Sequence, residues 1–263
     1  MSTTPQGFKG CCAGLYELPI TTLLLGESHH PGGAQLTRQL AESVLVGPDT
    51  RVLDVACGRG TTARLLAEEF GAQVTGVDYS DLIVQNARRA TRAAGLEARV
   101  DFRTGDAEHL PCEDASIDVV LCECALCTFP DAPRALREFY RVLKPGGRLG
   151  ISDIVVNREM PAALQTVVGH VVCIAGARSA DGYLELIDEA GFNTTRSRNA
   201  SSALLEMMTR VEQRLRLADV IAQLETLELP DDLTHSAETL DEARSFITAG
   251  GAGYALFSAR KPR

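Results

Sequence analysis

Apolar positions along this chain fall into short runs that alternate with stretches of helical period. Arg51–Val55, Gln73–Val77, Ala98–Thr104, Ile117–Cys122 and Arg148–Ile154 are apolar runs bounded by Gly, Pro or polar turn residues, the pattern of buried strands. Between them, Thr61–Phe70, Asp81–Ala94 and Ala132–Val142 place apolar residues three and four apart, the pattern of amphipathic helices. Gln35–Val46 reads as a helix ahead of the first strand. Ser80 stands where a helix N-cap hydroxyl is needed, and Lys144-Pro-Gly-Gly147 closes the last of these helices. Strands alternating with helices predict a parallel, doubly wound α/β sheet with both faces covered. Right-handed crossovers leave a crevice at the carboxyl ends of its strands.

Beyond residue 155 the alternation loosens. Leu164–Ala175 and Ala180–Ala190 read as helices and Phe192–Ser197 as a strand. Leu204–Glu228 and Leu240–Ala249 are helical stretches, and Gly253–Ala259 is a last strand before a basic tail. Residues 1–35 carry Gly, Pro and a His29-His30-Pro-Gly-Gly33 run and read as an irregular arm or lid. The expected division is this arm, a core over 36–155, and a part over 156–263 that completes a seven-stranded sheet and caps the substrate.

Composition narrows the function. A net charge of −9 and the absence of tryptophan argue against nucleic acid as a partner, since phosphates need Lys and Arg and single strands need aromatic platforms. No apolar run reaches the roughly 20 residues of a membrane span, so no membrane partner and a cytoplasmic location are expected. In that setting the eight cysteines are expected as free thiols, a soft-metal site or redox groups, not as a disulfide framework.

The strand at Val52 runs into Leu53-Asp-Val-Ala-Cys-Gly-Arg-Gly60 and then a helix, a place where backbone amides meet a ligand. No Gly-Lys-Ser/Thr follows, so it is not a Walker loop, and Ala63 stands where a Gly-x-Gly-x-x-Gly turn has its third glycine. Asp78 ends the second strand, where an acidic residue accepts from ribose hydroxyls. Gly105-Asp106-Ala107 follows the third strand, and a carboxylate there accepts from an adenine amino group. With Arg141-Val-Leu-Lys-Pro-Gly-Gly147, these segments resemble class I S-adenosylmethionine-dependent methyltransferases over roughly 36–155. The resemblance implies a Rossmann-like fold and S-adenosyl-L-methionine as cofactor. It places the methionine part against Ala56, Cys57, Gly58 and Gly60 beside Asp54. It also assigns the ribose to Asp78, the adenine to Asp106 and Ala107, and Tyr79 to the ring face. Ala56 stands where the family usually has its first glycine.

Methyl transfer is an in-line displacement, so the acceptor should meet the side chains after the fourth strand. That stretch reads Cys122-Glu123-Cys124-Ala-Leu-Cys127. Buried small hydrophobes are one reading, and a zinc site another, though no second ligand pair is evident beyond Cys11-Cys12. A soft thiophilic acceptor is the third. Cys122-Glu-Cys-Ala125 with Pro130-Asp131, Ser152-Asp-Ile-Val155 and Val172-Cys-Ile-Ala-Gly-Ala177 resembles the arsenite methyltransferases. That likeness implies Cys124 and Cys173 as ligands of trivalent arsenic, with Cys122 and Cys127 as candidate further thiols. A family cysteine is missing at Ala63, and Glu123 replaces an Asn, with a role toward the cofactor's amino group or as a base. His29 and His30 are ordinary arm residues or a closure over the cofactor. This small inorganic acceptor, presented as a thiol conjugate, competes with two other readings: an organic natural-product acceptor with the cysteines merely lining the pocket, and a non-enzymatic metalloid binder.

Overall fold

The computed structural model describes residues 9–10, 13–14, 16–17, 19–26, 28–161, 176–225 and 241–263. The apolar runs pair as strands β1 (Arg51–Val55), β2 (Gln73–Asp78), β3 (Val100–Thr104), β4 (Ile117–Glu123) and β5 (Leu143–Val156). β6 (Asn193–Asn199) and β7 (Ala252–Arg260) complete a seven-stranded sheet of order β3-β2-β1-β4-β5-β7-β6. The first five pair in parallel, and β7 runs antiparallel between β5 and β6. The order reverses between β1 and β4, which puts the ligand crevice at their carboxyl ends.

Helices α1 (Pro19–Leu25), α2 (Gly33–Ser43), α3 (Thr61–Phe70), α4 (Asp81–Ala93), α5 (Ala132–Val142), α6 (Ala180–Glu189) and α7 (Ser201–Glu225) accompany the sheet, with α8 over 241–248. Ser80 caps α4 by accepting from the Ile83 amide, and Asp131 caps α5 through the Arg134 amide. Strand alternation sorts the core into two layers. Val52, Val119 and Leu121 face Leu40, Leu66, Val84 and Phe102 under α2, α3 and α4. Leu53, Val120 and Cys122 face Leu136, Phe139, Ile151 and Tyr183 under α5 and α6.

Two expectations shift. The fifth strand starts earlier than Arg148: Leu143 already pairs with Ile117, and residues 144–147 bulge out before Arg148 rejoins opposite Val119. The turn at Lys144–Gly147 is therefore an irregularity inside the ladder, with Gly146 at φ +80°. The third strand is shorter than expected, because Ala98 and Arg99 lie outside the β2 ladder that begins at Val100. The expected helix at Leu164–Ala175 lies outside the described residues, as do residues 226–228 of the long helical stretch. No helix among the described residues is long and apolar enough to cross a membrane.

Candidate functional site

A cavity of about 160 Å³ opens at the carboxyl ends of β1, β2 and β4. Its floor is the turn after β1. Ala56, Gly58 and Gly60 all have left-handed backbone, with φ of +57°, +51° and +72°. The Cys57 amide donates to the Val77 carbonyl at 3.1 Å, and the Gly60 amide to Cys57 at 2.9 Å. Glycine is required at Gly60 for a second reason: a Cβ there would enter the Phe102 ring. Gly76 meets the same constraint, where a Cβ would also lie 2.9 Å from Cys57 Sγ. α3 starts on Gly60 with no side-chain cap, so its first amides and the positive end of its dipole point toward the cavity.

Four carboxylates line the cavity. Asp78 accepts from the Gly58 amide at 2.9 Å and the Ser80 amide at 3.1 Å. Burial pushes its pKa above the ordinary carboxylate range, against the pull of these amides. Asp54 is buried outright, and its Oδ2 has no hydrogen-bond partner. Desolvation, then the charges of Glu123 and Asp78, push its carboxyl well above the ordinary range. Glu123, at the end of β4, accepts from Thr62 at 2.7 Å and from Thr37 at 3.1 and 3.2 Å. His30 Nε2 lies 3.7 Å from the same carboxylate. Asp106, after β3, faces the cavity at its far end.

Of the sequence-derived cofactor residues, Asp54, Ala56, Cys57, Gly58, Asp78, Tyr79, Asp106, Ala107 and Glu123 line this one cavity, as do His29 and His30, whereas Gly60 is not in its lining and serves as the N-cap of α3. Burial, then the charges of Asp54 and Asp78, push the Cys57 thiol well up, which keeps it protonated. The cavity fits S-adenosylmethionine on its own chemistry. An acidic wall complements a sulfonium and an ammonium, and the orphaned Asp54 oxygen lacks the donor such a group provides.

The thiols separate. Cys124 is in the cavity wall, in a left-handed conformation at φ +55°, with its amide donating to Ser152 O at 2.6 Å. Behind it Tyr254 donates to Ser152 Oγ at 2.9 Å, and burial pushes that phenol well up. Cys122 corrects an expectation. It is fully buried in the α5-side layer, because β4 alternation turns it away from the face that carries Glu123. Cys127 sits on a single 3₁₀ turn, Leu126–Thr128, with its amide on Asp153 Oδ2 at 3.0 Å, and it does not line the cavity. Cys11, Cys12 and Cys173 lie outside the described residues. No group of three or more His, Cys, Asp or Glu side chains that could hold a metal ion forms among the described residues.

Thr37, Thr62, Lys9 and Tyr16 belong to the site and were not read from the sequence. For the two threonines a signal existed. Each is a polar residue inside the buried stripe of its helix, with Leu36, Leu40 and Ala41 in α2 and Ala63, Leu66 and Ala67 in α3.

The sequence matches the Methyltransferase domain family over residues 47–191. It is 40% identical over 164 residues to methyltransferase GfsG of Streptomyces halstedii, covering 61% of this chain and 59% of that one. To an arsenite methyltransferase of Halobacterium salinarum it is 37% identical over 150 residues, 56% of this chain and 38% of the relative. The chain thus spans less than two thirds of the length of both. A 27-O-demethylrifamycin SV methyltransferase of Amycolatopsis mediterranei is 30% identical over 234 residues, 87% of this chain and 83% of that protein. Among solved structures, the [4+2]-cyclase SpnF superposes with a TM-score of 0.77 at 26% identity, over 98% of this chain and 94% of that one. Phosphoethanolamine N-methyltransferase 2 of Haemonchus contortus, bound to S-adenosyl-L-methionine, gives 0.78 at 21% identity, over 99% and 58%.

Proposed function

The chain belongs to the methyltransferase-domain family, and we propose that it uses S-adenosylmethionine to methylate a small acceptor, trivalent arsenic held by the Cys124 thiolate. The observation that carries this reading is the backbone of Cys124. Left-handed backbone costs a residue with a Cβ roughly 1–2 kcal/mol, a strain that glycine escapes. Strained residues cluster at active sites and ligand clamps. Here the side chain is a thiol in the cavity wall beside Glu123. Thiolates select soft metalloids. The likeness to an arsenite methyltransferase supports the same acceptor.

In this reading the Ala56–Gly60 backbone holds the methionine part of the cofactor. Asp54 and Glu123 face its cationic groups, Asp78 takes the ribose hydroxyls and Asp106 the adenine amino group, with Tyr79 and Ala107 along the ring. When bound, S-adenosylmethionine supplies a methyl group activated on a sulfonium sulfur. Cys124 fixes the acceptor at that end of the cavity, and the apolar wall of Ala125 and Phe129 excludes water. Cys173 is proposed as the second thiolate. The described chain resumes at Gly176, where an added Cβ would run into the Cys127 carbonyl. Cys127 is the proposed additional thiol. Cys122, sealed in the core, has no part.

A second reading takes an organic acceptor, with Cys124 as wall only. It is favoured by the breadth of the match to the rifamycin methyltransferase, which extends well beyond the cofactor-binding half. One assay separates them: protein, S-adenosylmethionine, glutathione and arsenite, scored by speciation chromatography for the parent and Cys124→Ser, with S-adenosylhomocysteine affinity measured on both. Methylated arsenic from the parent and little from a variant of unchanged affinity supports the arsenic reading. No methylated arsenic from a parent that binds the cofactor overturns it in favour of the organic one.

A further inference from the structure

The adenine end of the cavity is already occupied by a side chain of the protein. Lys9 donates to Asp106 Oδ1 at 2.9 Å and Oδ2 at 2.7 Å, and its ammonium lies 2.6 Å from Glu108 Oε2. The Lys9 side chain is 12% exposed and lines the cavity with Asp106 and Ala107. Glu108 is fixed in turn, because its Oε1 accepts the Asp131 amide at 2.9 Å. The Glu108 amide returns to Asp106 Oδ1, also at 2.9 Å. Both oxygens of Asp106 are therefore engaged, and the cation on them comes from a residue 97 positions away in sequence.

We propose that Lys9 is a latch that competes with the adenine amino group for Asp106, so that the methyl donor binds only by displacing it. The inference rests on the reading of Asp106 as the adenine acceptor. A carboxylate whose lone pairs are taken by an ammonium presents little acceptor capacity to a neutral amine, and the charge-assisted bonds of the ammonium are the stronger. Glu108 gives the released ammonium somewhere to go. At 2.6 Å it already shares the charge, so Lys9 can leave Asp106 without losing its last carboxylate. Two other anchors lie on the same rim: Glu17 accepts from Ser80 Oγ at 2.6 Å, and the Tyr16 ring stacks on His29 at 5.8 Å. Lys9 is the cation that holds Asp106 among the described residues, and its grip is electrostatic, so it weakens with salt.

The test is calorimetric titration of the full chain with S-adenosylhomocysteine, which carries the adenine and no sulfonium charge, at about 20 mM and about 500 mM salt, where the screening length falls several-fold. Lys9→Met is expected to bind about tenfold tighter than the parent at low salt, an equivalent of roughly 1.4 kcal/mol. The gap should shrink at high salt as the parent's affinity rises toward the variant's. Lys9→Arg keeps the latch and should resemble the parent. Glu17→Gln loosens the neighbouring anchor and should change affinity less than twofold; a gain equal to that of Lys9→Met would mean general loosening and overturn the proposal. Weaker or unchanged binding by Lys9→Met overturns it too. Asp106→Asn isolates the underlying reading: undiminished binding by that variant removes Asp106 as adenine acceptor, whatever Lys9 does.

Discussion

Replacing Cys124 by glycine should stabilise the protein relative to alanine, the reverse of the usual order. The residue has φ +55° and follows directly on β4. At an ordinary position glycine is less stable than alanine by about 0.5–1 kcal/mol, because the unfolded chain gains freedom. In the left-handed region a Cβ costs about 1–2 kcal/mol. At the centres of these ranges Cys124→Gly stays ahead of Cys124→Ala by about 0.75 kcal/mol, or roughly 2 °C in Tm for a chain of this size. Both variants lose the same sulfur and its packing against the α2–α4 side of the core, so that loss cancels. Ala125→Gly serves as the reference. Its φ of −140° is ordinary, so glycine there should lose stability in the normal way. Calorimetric melts of the four proteins decide it. If Cys124→Gly melts below Cys124→Ala by the margin seen at Ala125, the strain at Cys124 does not exist. The reasoning that ties its thiol to the acceptor then falls with it.

Gly60→Ala combines left-handed strain with a clash against Phe102 and should cost about 2–5 kcal/mol, read as a lower urea midpoint; a melt within 1 °C of the parent would contradict the packing. Asp54→Asn should flatten the pH dependence of stability. The raised folded pKa makes the folded protein hold a proton that the unfolded chain has lost, so parental stability falls as pH rises above the ordinary carboxylate range, and the variant should escape that fall while binding S-adenosylmethionine more weakly. The parent's own S-adenosylmethionine affinity should rise over the same pH interval as Asp54 ionises, a trend that titrations at stepped pH will show or deny. Thr62→Val removes the 2.7 Å donor to Glu123 and should cost about 1–3 kcal/mol, checked by chemical denaturation.

Much of the site was legible because it is local. Asp54, the glycine turn, Asp78 and Asp106 each sit within a few residues of a strand's carboxyl end, and the βαβ pattern brings those ends together. What pattern reading could not reach are contacts between distant segments. Lys9 meets Asp106 across 97 residues, Thr37 meets Glu123 across 86, and Thr62 meets Glu123 across 61. The ladder irregularity at residues 144–147 was hidden for a related reason: a Pro-Gly-Gly turn reads the same whether it ends an element or bulges from one.

The cysteines of β4 mark the boundary between the two kinds of information. The sequence alone determined that a parallel sheet forms, that β4 ends near Cys122, and that thiols crowd the end of that strand. Strand period by itself puts Cys122 and Cys124 on one face and Glu123 on the other. The folded protein separates them: Cys122 is sealed in the α5 layer, while Glu123 and Cys124 both reach the cavity. The cause is a single backbone step, since the chain leaves the strand after Glu123 and turns left-handed at Cys124. That step is held by the Ser152 carbonyl on the neighbouring strand, a partner that exists only once β4 and β5 have paired.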